Sequence, residues 1–453
     1  MIFKQFKKTK PKLIAVMILV IALMILPMIS MISTNFITPN PDENLINNEK
    51  TLFNENSIFT SQGSSEQTWW NYSWQYRIPI DVRSRTGELF NYQVRIELNL
   101  TAWYQEGYLN ETGKDIRFVN STDNELYFWI ENMNITGGNS TFWVRMPQFN
   151  EQDTTIFMYF GNANANTKSD IEATFINEID GTRGAWHFEE GEGDIAYDTS
   201  GNNNNGTLNN SPLWDEGKIG SAINFSGGSR TVPKYMDVPD DDSLEISRNI
   251  TFSFWLYATP TSGDWVPIFI KSNPSGSTST RTYAVFWNLG SNYMHLCSAD
   301  TSGQQTLNSG TNSVQFNQWQ FWTFVVDRVN GLMRIYLDGV EQVEGSVRTT
   351  DTVSHEYSLS MNSKSYYPGN IKLDEVMLFE NILTEDEITD LHDNRGYTTP
   401  NYPNKVLVRE NASIEPFVSI GELEYSELNI TCIDIDGRRV PNAEIYITNS
   451  SEQ

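Results

Sequence analysis

Apolar positions along this chain fall into three regimes. Near the amino terminus a run from Leu13 to Ile32 (LIAVMILVIALMILPMISMI) is interrupted only by Pro27 and Ser30, and about 20 such residues suffice to cross a hydrocarbon core as a helix. From Thr34 to Thr68 apolar positions are few and keep no period, which predicts a polar stalk. Beyond Trp69 strict alternation takes over in YRIPIDV (Tyr76 to Val82), YQVRIEL (Tyr92 to Leu98), TFWVRMP (Thr141 to Pro147) and TIFMYFGN (Thr155 to Asn162), each bounded by Gly, Asn or Pro. Successive side chains of a strand point to opposite faces, so this pattern predicts antiparallel sheet packed on one face. Further strand-and-turn units follow in ITFSFWLYATP (Ile250 to Pro260), QWQFWTFVVDR (Gln318 to Arg328) and MRIYLDGVEQ (Met333 to Gln342). TTPNYPNK (Thr398 to Lys405) reads as a linker, and a last pair of alternating strands flanks Asp436-Gly437, a hairpin signal.

The order of the motifs matters more than any one of them. AWHFEEGEG (Ala185 to Gly193), DTSGNNNNGT (Asp198 to Thr207), GKIGSAINFSGG (Gly217 to Gly228), the three units just quoted, and GNIKLDEVMLFENILTEDEI (Gly369 to Ile388) follow one another over 184–396. That succession resembles a complete laminin-G-like, concanavalin A-type jellyroll. Over 69–166, Trp74 to Ile80 (WQYRIPI) and Tyr159 to Asn162 (YFGN) resemble the opening and closing of a domain of unknown function frequent in archaeal and bacterial surface proteins. The tail motif DIDGRRVPNAEI looks like the start of an immunoglobulin-like or carboxypeptidase-regulatory-like sandwich. The expected fold is thus all-β: a membrane helix or signal peptide (1–33), a stalk (34–68), a β-sandwich (69–175), the jellyroll (184–396) and a partial sandwich (404–453).

Lys4, Lys7, Lys8, Lys10 and Lys12 precede the apolar run and predict an inside amino terminus, with everything after Ser33 outside. The chain is then anchored at the cell surface, or secreted if the segment is cleaved. A net charge of -26 argues against nucleic acid as a partner and attracts cations without specifying one. Cys297 and Cys432 lie in different regions, so neither region holds an internal disulfide. With export, the Asn-x-Ser/Thr sequons at Asn71, Asn99, Asn110, Asn134 and Asn249 become glycan acceptors.

Candidate chemistry points to binding. A jellyroll glycan hydrolase needs two carboxylates flanking the scissile bond. Glu178-Ile179-Asp180-Gly181-Thr182-Arg183 lacks the last Glu of such a strand motif, and Asp374, Glu375 and Glu380 are spaced so that Glu375 faces away from the other two. The four histidines are scattered and no H-E-x-x-H, G-x-S-x-G or Walker loop occurs, so no enzyme is expected. The jellyroll resemblance implies a structural calcium ion held by Asp198 and Asp374, with carbonyls of Ser200 to Gly206 filling the shell; the alternative is that Asp198 caps its own turn. Trp265, Tyr283 and Trp287, with Arg281 beside them, are candidates for stacking and orienting a glycan or contacting a surface protein. Tyr283, Val285 and Trp287 share one strand face, which equally describes a core stripe.

Overall fold

The computed structural model describes residues 69–426, apart from 274–276, 355 and 363–367. The apolar run, the stalk and the tail hairpin lie outside the described residues, and among those described no helix is long and apolar enough to cross a membrane.

Two β-sandwiches share one unit from Trp69 to Tyr425. In the first, strand Tyr76–Arg83 pairs with Thr154–Phe160, which pairs in turn with Arg117–Asn120. Opposite lies a three-stranded sheet of Leu89–Leu98, Ser140–Phe149 and Phe128–Asn132. Ile78, Ile80 and Val82 point inward by period 2 and are wholly buried, and Phe118 closes the gap by packing on Phe128 and Phe142 of the other sheet. On the outer face Trp74, Val119, Phe157 and Tyr159 form a second small core, with Trp69 and Trp70 half-buried against it. These tryptophans are packing residues.

The second sandwich is built from two eight-stranded sheets. One contains, side by side, Leu359–Met361, Trp265–Lys271, Tyr283–Asn288, Tyr293–Asp300 and Gly303–Asn308; the other contains Ile371–Phe379, Asn249–Ala258, Trp319–Asp327 and Leu332–Leu337. Neighbours far apart in sequence, such as Ile371–Phe379 beside Asn249–Ala258, are the crossovers of a jellyroll. An aromatic stack joins the sheets: the Phe252 ring lies 4.9 Å from Phe269, 5.3 Å from Phe324 and 6.2 Å from Tyr283.

The expected linker is instead a structural layer. Arg395–Thr399 and Tyr402–Arg409 form a hairpin whose second strand pairs with Asn177–Asp180, the segment leading into the jellyroll. One face of this small sheet, with helix Glu385–Asp393, covers the second jellyroll sheet through Ile179, Val406, Val408, Ile388 and Leu391. Its other face meets the first sandwich, where Leu407 packs with Trp143 and Phe175. Of the residues in TTPNYPNK that suggest a linker, Pro400 and Asn401 form the turn, while Pro403 and Asn404 open the strand that KVLVR continues. Phe417–Ile420 and Glu424–Tyr425 then return to pair with Tyr76–Arg83. Residues 404–409 and 417–425, expected to open a separate carboxy-terminal sandwich, are therefore strands of this unit; 427–453 lie outside the described residues.

Polar contacts lock the layer in place. The Glu131 carboxylate accepts hydrogen bonds from Thr399 Oγ1 (2.6 Å), Trp143 Nε1 and Tyr397 OH (both 2.9 Å) and Asn401 Nδ2 (3.1 Å). Buried Arg409 donates to Tyr92 OH and pairs with Glu415. Burial raises the Glu131 carboxyl, but the four donors outweigh it and hold the group below its usual value. A depressed carboxyl stabilises the fold above its unfolded value, about 4.3, and this contribution is lost as pH falls through the folded value. Glu131→Gln should thus lower the urea midpoint at pH 7 by the equivalent of about 2 kcal/mol, after allowance for partial solvent screening. The deficit relative to the unsubstituted chain should shrink below about pH 4; an equal deficit at pH 3 and pH 7 would show that the charge is not what holds the layer.

Candidate ligand-binding face

Which face of a jellyroll sheet is available depends on what covers it. The second sheet is covered by the helix and the third layer. The first turns outward the side chains of four strands in register, Trp265 opposite Asn288 and Tyr293, and Phe286 opposite His295 and Asn308; of these Phe286 is itself buried in a small outer core with Ala284 and Cys297, against which Trp265 packs. A bulge between Pro267 and Phe269 sets the phase. Ile268 and Phe269 both turn into the core with no exposure, so Trp265 and Ile270 face out on either side of the bulge.

Tyr283 and Trp287 are core residues, not ligand residues. Both have no exposure; Tyr283 OH donates to Leu244 O at 3.0 Å and Trp287 Nε1 to Asn292 Oδ1 at 2.9 Å. Their inward direction puts Ala284, Phe286 and Asn288 on the outside by strand periodicity.

Trp265 and Arg281 share the outer face. The half-buried Trp265 ring lies 4.9 Å from the His295 ring and stands edge-on to Tyr293 at 6.0 Å and Phe286 at 6.4 Å. Arg281 lays its guanidinium 4.4 Å above the Phe286 ring and donates from Nη1 to Gln304 Oε1 at 2.8 Å. Burial holds the His295 imidazole below its usual value; the hydrogen bond to Asn308 opposes the shift and the charge of Arg281 adds to it. Beneath Arg281, burial pushes the Cys297 thiol up to about 12, so at neutral pH it is a packing group rather than a nucleophile. Phe286, His295, Gln304 and Asn308 escape a motif search because each is one alternating position in an ordinary strand. Period 2 from a known inward Trp287 finds Phe286, whereas the only sign of the bulge beyond Trp265 is Pro267, a residue that strands admit at bulges or edges.

The two aspartates expected to hold calcium are occupied by hydrogen-bond donors. Asp198 Oδ1 accepts from the backbone N–H groups of Ala185 and Ser200, and Oδ2 from Ser200 Oγ and Asn204 N–H, all at 2.8–2.9 Å. Asp374 Oδ2 accepts from Lys218 and Ile219 N–H, and Oδ1 from Glu375 N–H. The loop at 217–219 is drawn so close that a Cβ on Gly217 would stand 2.7 Å from this carboxylate. Burial, and then the charge of Glu375, pushes the Asp374 carboxyl well above the usual range. Oxygens ringed by N–H donors offer a cation little, and the pair does not fit a calcium shell. Among the described residues no group of three or more His, Cys, Asp and Glu could hold a metal ion. The other acids weighed in the sequence are likewise engaged: Glu375 with His187, Glu380 with Arg183, and Glu178 and Asp180 with Lys405.

Four of the five sequons sit in turns where the Asn Oδ1 accepts from the N–H two residues on: Asn71, Asn99, Asn110 and Asn134. Asn249 differs, being the first residue of a central strand paired with Asp327.

Residues 230–389 match the family model of the concanavalin A-like lectin/glucanases superfamily, preceded by a match to the domain of unknown function DUF2341 at 112–189. No curated protein matches the chain. Among solved structures, Domain 4 of AbnA, a GH43 extracellular arabinanase from Geobacillus stearothermophilus, in complex with arabinotriose, is 20% identical, covering 47% of this chain and 98% of that one at a TM-score of 0.38. The binding domain of Paraclostridial Mosquitocidal Protein 1 is 15% identical, covering 47% and 52% at 0.38. That of botulinum neurotoxin serotype D is 16% identical, covering 47% and 53% at 0.39. The chain spans about half the length of the toxin binding domains it matches.

The geometry around Asp198 makes a prediction about metal. Asp198→Asn replaces one acceptor oxygen by an NH₂ group facing N–H donors and should destabilise by roughly 2–3 kcal/mol, the scale of charge-assisted bonds lost in a buried site. Chelator should leave the melting temperature of both proteins where it was. A chelator-induced drop in the unsubstituted chain that Asp198→Asn abolishes would restore calcium to this turn.

Proposed function

We propose that this chain is an exported cell-surface binding protein whose jellyroll holds a glycan on the outer face of its first sheet, around Trp265, without cleaving it. The observation that carries the reading is the placement of Trp265. It is a half-buried ring on a sheet face whose neighbours are an imidazole, a guanidinium and side-chain amides. An indole presents an apolar plane to a sugar ring while nearby polar groups orient its hydroxyls. The match of this domain to a lectin and glucanase superfamily supports the same reading. Binding without turnover is supported by the outward positions of the four strands, which carry no carboxylate among the described residues, whereas glycosidic cleavage by paired acids needs two. In this reading the apolar run from Leu13 to Ile32 holds the protein at the membrane with the sandwiches outside.

A second reading, a structural envelope component without a small ligand, is favoured by the third layer, whose Glu131 and Arg409 contacts fasten two sandwiches together. A glycan array separates the two. The binding reading expects hits that Trp265→Ala weakens about fivefold, the effect of losing roughly 1 kcal/mol of aromatic contact, with the bound glycans recovered at full length. An array without hits favours the structural reading, and shortened glycans would make the protein an enzyme.

A further inference from the structure

The guanidinium on this face is unusual in what it lacks. The molecule carries 57 acidic and 31 basic side chains, and many of its poorly exposed arginines have a carboxylate within reach. Arg77 meets Glu424, Arg328 and Arg348 meet Asp300, Arg395 meets Glu189, and Arg409 meets Glu415. Arg281 meets none among the described residues. Its partners are an amide oxygen of Gln304, the weak acceptor Cys297 Sγ at 3.9 Å, and the Phe286 ring. Its Nε–H is enclosed and has no acceptor at all. A partly buried cation with an enclosed, unmet donor is costly to keep. Here it lies on the ring that also meets Trp265 at a right angle, so the positive charge and the indole flank the same Phe286.

Resting on the glycan reading above, we infer that this face selects an acidic saccharide, whose carboxylate is received by Arg281 while a sugar ring stacks on Trp265. A planar guanidinium is the side chain that matches a carboxylate with two parallel hydrogen bonds. The charge balance points the same way. A molecule this acidic repels anions at long range, so an anionic ligand needs a local cation not already neutralised by a neighbour, and Arg281 meets that requirement beside four strands whose outward positions carry no carboxylate.

The test uses the full chain, an oligosaccharide of uronic acid units, and the same oligosaccharide after reduction of its carboxyl groups to neutral alcohols. Calorimetry should find the acidic form bound about tenfold more tightly, as expected for a charge-assisted pair, with the advantage falling as salt is raised. Arg281→Gln should bring the acidic form down to the affinity of the neutral one, and Trp265→Ala should weaken both alike. Since Arg281 also covers Phe286, Arg281→Lys serves as a charge-preserving control: it should keep part of the preference, and the salt dependence of the unsubstituted chain reads the same charge without any substitution. Equal affinity for the two forms, or an acidic preference untouched by Arg281→Gln in a folded variant, overturns the inference. If Trp265→Ala still weakens binding in that case, the glycan reading stands without its acidic specificity. Binding of neither form overturns the acidic assignment, and array hits with neutral glycans would then show whether the broader reading survives.

Discussion

The aromatic stack that closes the jellyroll core decides what is left for the outside. Phe252 packs against Phe269, Tyr283 and Phe324, and these four large rings meet between the two sheets within the main apolar core of that domain. Satisfying Tyr283 turns Phe286 outward three residues later. Satisfying Phe269 requires the bulge, and the bulge allows Trp265 to face the same way as Phe286. The outer face around Trp265 is in this sense the remainder of the core, composed of whatever period 2 and one irregularity did not consume.

A second dependency links the sandwiches. The three-stranded layer is apolar on both faces, which is the pattern of a sheet with neighbours above and below rather than of a surface hairpin. Its polar groups are therefore satisfied largely by long-range partners, Tyr397, Thr399 and Asn401 by Glu131 and Arg409 by Tyr92, with the nearby Glu415 completing the set around Arg409. An orphaned buried group would cost more than the bond it replaces, so these residues act as a set.

Alternating segments such as YRIPIDV and TIFMYFGN are strands where the pattern put them, and the succession of motifs anticipates the jellyroll, because both signals are local or ordered along the chain. The layer at 395–409 was hidden because TTPNYPNK has the composition of a linker while its partner, Asn177–Asp180, lies more than 200 residues upstream. Tyr283 and Trp287 shared a face in both readings, but a core stripe and an aromatic platform are written identically in sequence; only the position of the opposing sheet separates them. Asp198 illustrates the same limit for chemistry. A D-x-S-G turn serves a metal or a set of N–H groups with the same residues, and the difference lies in where Ala185 and Asn204 direct their donors.

The way the chain enters and leaves the jellyroll has a mechanical consequence. Asn177–Asp180 leads in, Tyr402–Arg409 leads out, and the two are hydrogen-bonded side by side; further on, Tyr425 lies directly opposite Tyr76. A pull applied to the two ends of the unit first meets that pairing, and the strands there separate one bond at a time, as a zipper does, rather than sliding past each other. The jellyroll hangs from the side of this path as an inserted loop. Tension along the backbone reaches its outer sheet face only after the first sandwich has opened and the three-stranded layer has parted.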